Sequence, residues 1–203
     1  MILINTIGSI DNLIENIKKI LEKLSELKSL LYKKSIKDSS VEEILRNYIN
    51  IETGSMNLNE NIENGKYIFY TRNEGIFKSN KYTHNQEGII VAGEGNFTPK
   101  YANGKFGLHQ RAYLISTNDI LFSNKILYEI IKSEVNYLNS VAVGSTVKSL
   151  RKNSFENIPF YIDGNYKSIE KKLKNIYDLE CLFCKKIENL NTIKQQYLKK
   201  FFG

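Results

Sequence analysis

The chain has 203 residues, of which 41% are hydrophobic, enough for one or two domains with a real core. Its formal charge of +7 and sequence pI of about 9.2 admit a polyanionic partner, while the two cysteines, Cys181 and Cys184, exclude a disulfide framework. There is no run apolar and long enough for a membrane span, and the apolar start MILINTIGSI lacks a basic leading region and a small-residue cleavage site, so no membrane association and a cytoplasmic location are expected.

The first predicted element is a helix from about Ser9 to Lys34. Ser9 is placed to cap it, and Asp11 and Asn12 put acceptors in the first turn. Ile10, Leu13, Ile17, Ile20, Leu24, Leu27 and Leu31 recur in steps of three and four, the seam of a coiled coil, over roughly 37 Å at 1.5 Å per residue. VEEILRNYI, from Val41 to Ile49, reads as a short helix capped by Ser39 or Ser40. Segments rich in Tyr, Phe, Ile and Val then follow, KYIFYTR, EGIFKSN, EGIIVAG and KFGLHQRAYLIS, and glycines between them suit strands joined by tight turns. A helix is expected over about Lys125 to Leu138, then a loop, a short helical turn and a last strand in VAVGSTVKSLRKNSFENIPFYI.

The closing helix is predicted from about Tyr166 to Phe201. Its seam holds Ile169, Leu173, Ile176, Phe183, Ile187, Leu190 and Tyr197, with Glu180 and Lys194 as interruptions. Its C-terminal part repeats the first helix. Leu21 to Ile36 aligns without a gap on Ile187 to Phe202, with Glu22, Lys28, Lys33 and Lys34 identical to Glu188, Lys194, Lys199 and Lys200. A chain that opens and closes on the same kind of helix presents seams able to meet, within one chain or between two. The expected division is therefore a spacer helix over 1–36, a strand-rich module over 37–165 and a second spacer helix over 166–203, an α+β fold with two long antiparallel coiled-coil helices.

Charge follows this division. Residues 1–36 hold 6 basic against 4 acidic residues and 166–203 hold 9 against 4, whereas 37–165 hold 14 of each. Within the neutral module, Lys66 to Arg111 has 7 basic residues against 3 acidic ones, so the module is polarised.

The order GKYIFYTRNEGIF, EGIIVAGEGN, YANGKFGLHQRAYLIS, a helix, and GSTVKSLRKNSFENIPFYI resembles one target recognition domain of a type I restriction-modification specificity subunit. The flanking helices resemble that family's conserved regions, whose copies end in the form of Leu190 to Phe202. The resemblance covers nearly the whole chain and departs from the family in two ways. Full-length members carry two recognition domains, whereas this chain holds one, and the Glu-Gln pair usual after the final strand is missing from FYIDGNYKSI. The resemblance thus implies a half-length or truncated subunit, expected to pair as a homodimer or to serve as one half of a split specificity subunit. It also implies a subunit without catalysis or cofactor of its own. Such a subunit reads double-stranded DNA in the major groove and docks methyltransferase subunits, which carry S-adenosylmethionine, with a restriction subunit in complete assemblies. A second reading stays open: a truncated coiled-coil protein that binds or competes for the methyltransferase without touching DNA.

Base readout needs side chains with paired donors and acceptors on loops, and phosphate contacts need cations, hydroxyls and tyrosines nearby. By that criterion Arg72, Asn73, Asn80, Asn96, Gln110 and Arg111 are the candidates for bases, and Lys78, Lys81, Tyr82, Thr98, Lys100, Tyr101, Lys105, Ser145, Thr146 and Lys148 those for phosphates or positioning. Ile17, Leu24, Leu27, Leu31, Ile176, Phe183, Ile187, Leu190 and Tyr197 are the coiled-coil and dimer candidates. Other chemistry finds little support. Cys181 and Cys184 stand inside a helix seam without a second pair, Ala92 to Asn96 lacks the Gly-Lys-Ser/Thr of a phosphate loop, and Glu87, Glu94 and Asp119 have no spacing that separates a metal site from solvated charges.

Overall fold

The computed structural model describes residues 2–36, 41–72, 75, 77–119, 121–162 and 166–202. The chain divides into two compact units, Met1–Lys34 with Lys171–Gly203, and Ser35–Glu170.

The first unit is a pair of helices. α1 spans Ile2–Ser35 and α5 spans Tyr166–Phe202, both longer than the sequence seams required. They run antiparallel, as two cross-helix ion pairs show: Lys28 Nζ lies 2.7 Å from Glu180 Oε2, and Lys194 Nζ lies 2.6 Å from Asp11 Oδ1. Both lysines come from the sequence repeat, where they align with each other.

The seam on α1 differs from the expected one by a rotation of one residue at alternate positions. Ile14, Leu21 and Lys28 face inward, while Leu13, Ile20 and Leu27 are exposed. The heptad spacing is kept, and Ile17, Leu24 and Leu31 remain on the inner side. Counting apolar residues favours Leu27, but Lys28 occupies the inner position because Glu180 neutralises its charge and the Tyr177 ring lies 3.9 Å from its Nζ. On α5, Ile176, Phe183, Ile187 and Leu190 are half-buried, and Glu180 and Lys194 belong to the seam instead of interrupting it. Tyr197 is 37% exposed and Leu198 takes the more buried place.

The described residues of the second unit form three sheets. Val41 to Ile49 is not a helix: β1 (Val41–Ile44) pairs antiparallel with β10 (Pro159–Ile162), a 3-10 turn covers Leu45–Asn47, and β2 (Ile49–Thr53) joins a larger sheet. Ser39 and Ser40, the expected caps, lie outside the described residues. Two partner strands offering backbone hydrogen bonds override the local helical pattern of so short a segment.

The larger sheet is antiparallel in the order β2-β9-β6-β7, with β6 at Gly88–Ala92, β7 at Lys100–Ala102 and β9 at Ala112–Thr117. Every residue of β6 is buried, because it is central and is covered by α2 (Asn124–Ser133). α3 (Val135–Val141) follows after a break at Glu134, so the expected single helix over 125–138 is two. The short turn α4 (Lys152–Glu156) precedes β10.

The third sheet has the order β4-β3-β8-β5, from β3 (Tyr67–Tyr70), β4 (Phe77–Ser79), β5 (His84–Asn85) and β8 (Lys105–Leu108), with β3 and β8 parallel. Ile90, Ala102, Phe106, Leu108, Ala112 and Leu114 form a core that spans both four-stranded sheets, with Tyr70 packed against it. The chain crosses between these sheets at Gly54, whose N–H donates to the Ala112 carbonyl while Ser55 and Met56 donate to Leu108. A Cβ at Gly54 would stand 2.2 Å from the Leu108 carbonyl oxygen, so only glycine passes there. A second aromatic group within this unit joins Tyr48, Phe122, Phe160 and Tyr166.

Candidate nucleic-acid interface

Three strand ends converge on one small surface. β3 leaves its sheet at Tyr70 and delivers Thr71 and Arg72; β6 leaves at Ala92 and delivers Gly93 to Asn96; the turn between β8 and β9 delivers His109 to Arg111. Backbone hydrogen bonds tie them together, from Gly93 N to Arg111 O at 2.8 Å and from His109 N to Tyr70 O at 2.9 Å. The 143–150 loop is joined on by Leu150 N to Gly93 O at 2.8 Å and Gly95 N to Lys148 O at 3.0 Å.

At the centre is Glu94. Its Oε2 lies 2.7 Å from an Arg72 terminal nitrogen and 2.9 Å from one of Arg111, whose contact to Oε1 is 3.1 Å. The Arg111 hydrogen bonds, aided by Arg72, hold the Glu94 carboxyl below the usual carboxylate range against the opposing effect of burial. His109 is buried beneath, and its Nδ1 accepts the Arg111 N–H at 3.1 Å, which places its ring proton on Nε2. Burial, then the two arginines, pushes the His109 pKa down, so the ring is neutral at pH 7.

On one side of this cluster a cavity of about 220 Å³ is lined by Thr71, Arg72, Ile90, Ala92, Asn96, Thr98 and Lys100. Asn96 Oδ1 accepts from the backbone and hydroxyl of Thr98 at 2.8 and 2.7 Å, which fixes the loop. On the other side a shallower cavity of about 250 Å³ is lined by residues that include Gln110, Arg111 and Ser149. Arg72, Asn96, Thr98, Lys100, Gln110 and Arg111 are thus neighbours, and exposed Lys148 joins them through its backbone. Ser145 and Thr146 are exposed on the same 143–150 loop.

A second group lies on the other sheet. Lys105 stands 4.9 Å from the centre of the Tyr82 ring, which packs edge-on against Tyr67, with Lys66 at 5.4 Å beyond. Lys78 and Lys81 are exposed nearby on and after β4, Lys81 within 3.4 Å of Glu60, and Asn80 turns its oxygen back to the Lys66 N–H. Asn80 is therefore partly committed to holding its own loop. Tyr101 departs most from its expected surface role: it is half-buried, and its ring packs against Tyr128 at 6.1 Å. Asn73 lies outside the described residues.

Sequence reasoning passed over Glu94, which it placed among solvated charges. The trace it left was position, a single acid between Gly93 and Gly95 at the mouth of a buried strand, but its arginine partners come from 22 and 17 residues away. The cysteines are both exposed and free, and among the described residues no cluster of His, Cys, Asp and Glu could hold a metal. Nor is any described helix long and apolar enough to cross a membrane.

Residues 33–192 match the family model of the type I restriction modification DNA specificity domain. The specificity subunit of the type I restriction enzyme EcoDI from Escherichia coli is 29% identical over 110 residues, 54% of this chain and 24% of that protein. Two solved structures share the fold. The S subunit of a type I restriction-modification system from M. genitalium gives a TM-score of 0.59 at 19% identity, over 78% of this chain and 43% of its own. The HsdS subunit from Thermoanaerobacter tengcongensis gives 0.52 at 12% identity, over 98% and 58%. The chain spans about a quarter of the Escherichia coli subunit and about half of the two solved chains.

Proposed function

Because this chain belongs to the type I restriction modification DNA specificity family, we propose that it is the DNA-reading component of such a system, recognising one half-site in the major groove without catalysing a reaction itself. In this reading residues 37–165 are the recognition domain, and residues 1–36 and 166–203 are spacer helices that dock methyltransferase subunits and, in a complete assembly, a restriction subunit. Two copies joined through their helices would read two inverted half-sites with an unspecified gap. The work takes place in the cytoplasm, where the DNA is.

The observation that carries the reading is the cluster of Arg72, Asn96, Thr98, Lys100, Gln110 and Arg111 on strand ends fixed to one another by backbone hydrogen bonds. Arginine and amide side chains read base edges by paired hydrogen bonds, and rigid supports make such contacts selective. Lys105 and Lys66 with the Tyr67–Tyr82 pair suit phosphates, which orient a module without reading sequence. For the helices, support comes from exposed Leu30 at 54% and Leu182 at 63%, apolar surface that an isolated helix pair leaves in water.

The test is selection of bound sequences from a random duplex pool by the chain assembled with the methyltransferase of its own system. An inverted bipartite site, with affinity falling steeply as salt rises, is expected. Retention of the methyltransferase with no sequence preference would instead favour the interaction protein that competes without reading DNA.

A further inference from the structure

Glu94 sits where a DNA-reading surface would be expected to exclude it, since a carboxylate repels phosphates. Its placement is not accidental looseness: the backbone of Gly93 and Gly95 on either side is bonded to Arg111, Leu150 and Lys148. The backbone that carries the carboxylate is therefore anchored to the turn before β9 and to the 143–150 loop, and the two arginines come to it. Each spends one terminal nitrogen on Glu94, and their side chains remain 38% and 53% exposed. A guanidinium has five N–H donors in a planar fork, so these contacts restrain one end of it while leaving donors to spare. Neutral His109 beneath holds the Arg111 backbone and adds no competing cation.

We propose that Glu94 is a positioning residue for base recognition, holding Arg111, with Arg72 beside it, so that the remaining donors of Arg111 meet O6 and N7 of a guanine, while its charge weakens binding to unrelated DNA. The inference rests on the DNA-reading function proposed above. Ordering a long arginine on arrival of DNA costs rotamer freedom, and a side chain already held by a carboxylate has lost that freedom before binding. The same negative charge cancels one of the two arginine charges toward phosphates, which any sequence offers, but leaves the geometry toward one base edge intact.

The experiment compares wild type, Glu94→Gln and Arg111→Ala, each assembled with the methyltransferase, by random-pool selection and by binding to selected and scrambled duplexes across a salt series. Wild type should require a guanine at one position of the half-site, and Arg111→Ala should lose that requirement. Glu94→Gln should weaken it about tenfold or more at the same position. For Glu94→Gln the scrambled duplex should bind more tightly, with a salt slope steeper by about 0.9, the value for one added phosphate contact. A purely structural Glu94 would lower binding to all sequences alike and would not steepen the slope, and that result overturns the proposal. So would a wild-type site without guanine, or effects of the two variants at different base pairs. Wild type selecting no sequence at all would remove the DNA-reading function first, an outcome distinct from each of these.

Discussion

Breaking the Lys28–Glu180 pair from one side should cost far more than replacing the pair. Lys28 keeps 5% of its side-chain surface exposed and Glu180 18%, with 2.7 Å between the charged atoms. At that distance the gross attraction is about 6 kcal/mol for an effective dielectric of ~20, most of it offset by the desolvation of both groups. Glu180→Gln leaves the lysine charge in place without its counterion, at an expected cost of about 3 kcal/mol. The Tyr177 ring, 3.9 Å from Lys28 Nζ, softens that loss by about 1 kcal/mol. Lys28→Met combined with Glu180→Leu restores apolar contact at both positions and should fall within about 1 kcal/mol of wild type. Urea midpoints of wild type, Lys28→Met, Glu180→Leu and the double variant at one fixed concentration, with hydrogen exchange of α1 and α5 amides, give the coupling by double-mutant cycle, and Glu180→Gln beside them reads the uncompensated charge. In a chain of this size the net loss of about 2 kcal/mol should lower the melting temperature of the single variant by about 4–8 °C. Single variants within about 0.5 kcal/mol of wild type, typical of an exposed pair, would refute the reasoning. A double variant as unstable as Glu180→Gln would mean that packing volume and not charge is what matters.

Three further outcomes follow from the geometry. Gly54→Ala places a methyl 2.2 and 2.4 Å from the carbonyl oxygens of Leu108 and His109, and should cost about 3 kcal/mol or more in a denaturant titration of the strand-rich unit. His109 has a native pKa below its ordinary 6.5, so its contribution to stability is complete above about pH 6.5 and is lost as pH falls through the lowered native value; His109→Asn, which keeps an acceptor for the Arg111 N–H, should flatten the fall of melting temperature below about pH 6.5. Leu182→Glu, on the outer side of α5, should lower self-association in sedimentation while circular dichroism keeps its helical intensity, and an unchanged dimer fraction would place the contact elsewhere.

The sequence by itself determined the two long helices, their heptad spacing and the positions of most strands, because these depend on local periodicity and on glycine at turns. Its order of motifs also identified the family. Tertiary structure decided three things. Which residue of each α1 turn faces inward depended on Glu180 and Tyr177, 152 and 149 positions from Lys28, so Lys28 displaced Leu27. Whether Val41 to Ile44 coils or extends depended on β10, more than a hundred residues on, since a four-residue segment carries too little intrinsic helix stability to resist a partner strand. And Glu94 became the centre of the candidate interface only when β3, β6 and the turn before β9 came to one edge, because a carboxylate between two glycines has no meaning until arginines from elsewhere reach it.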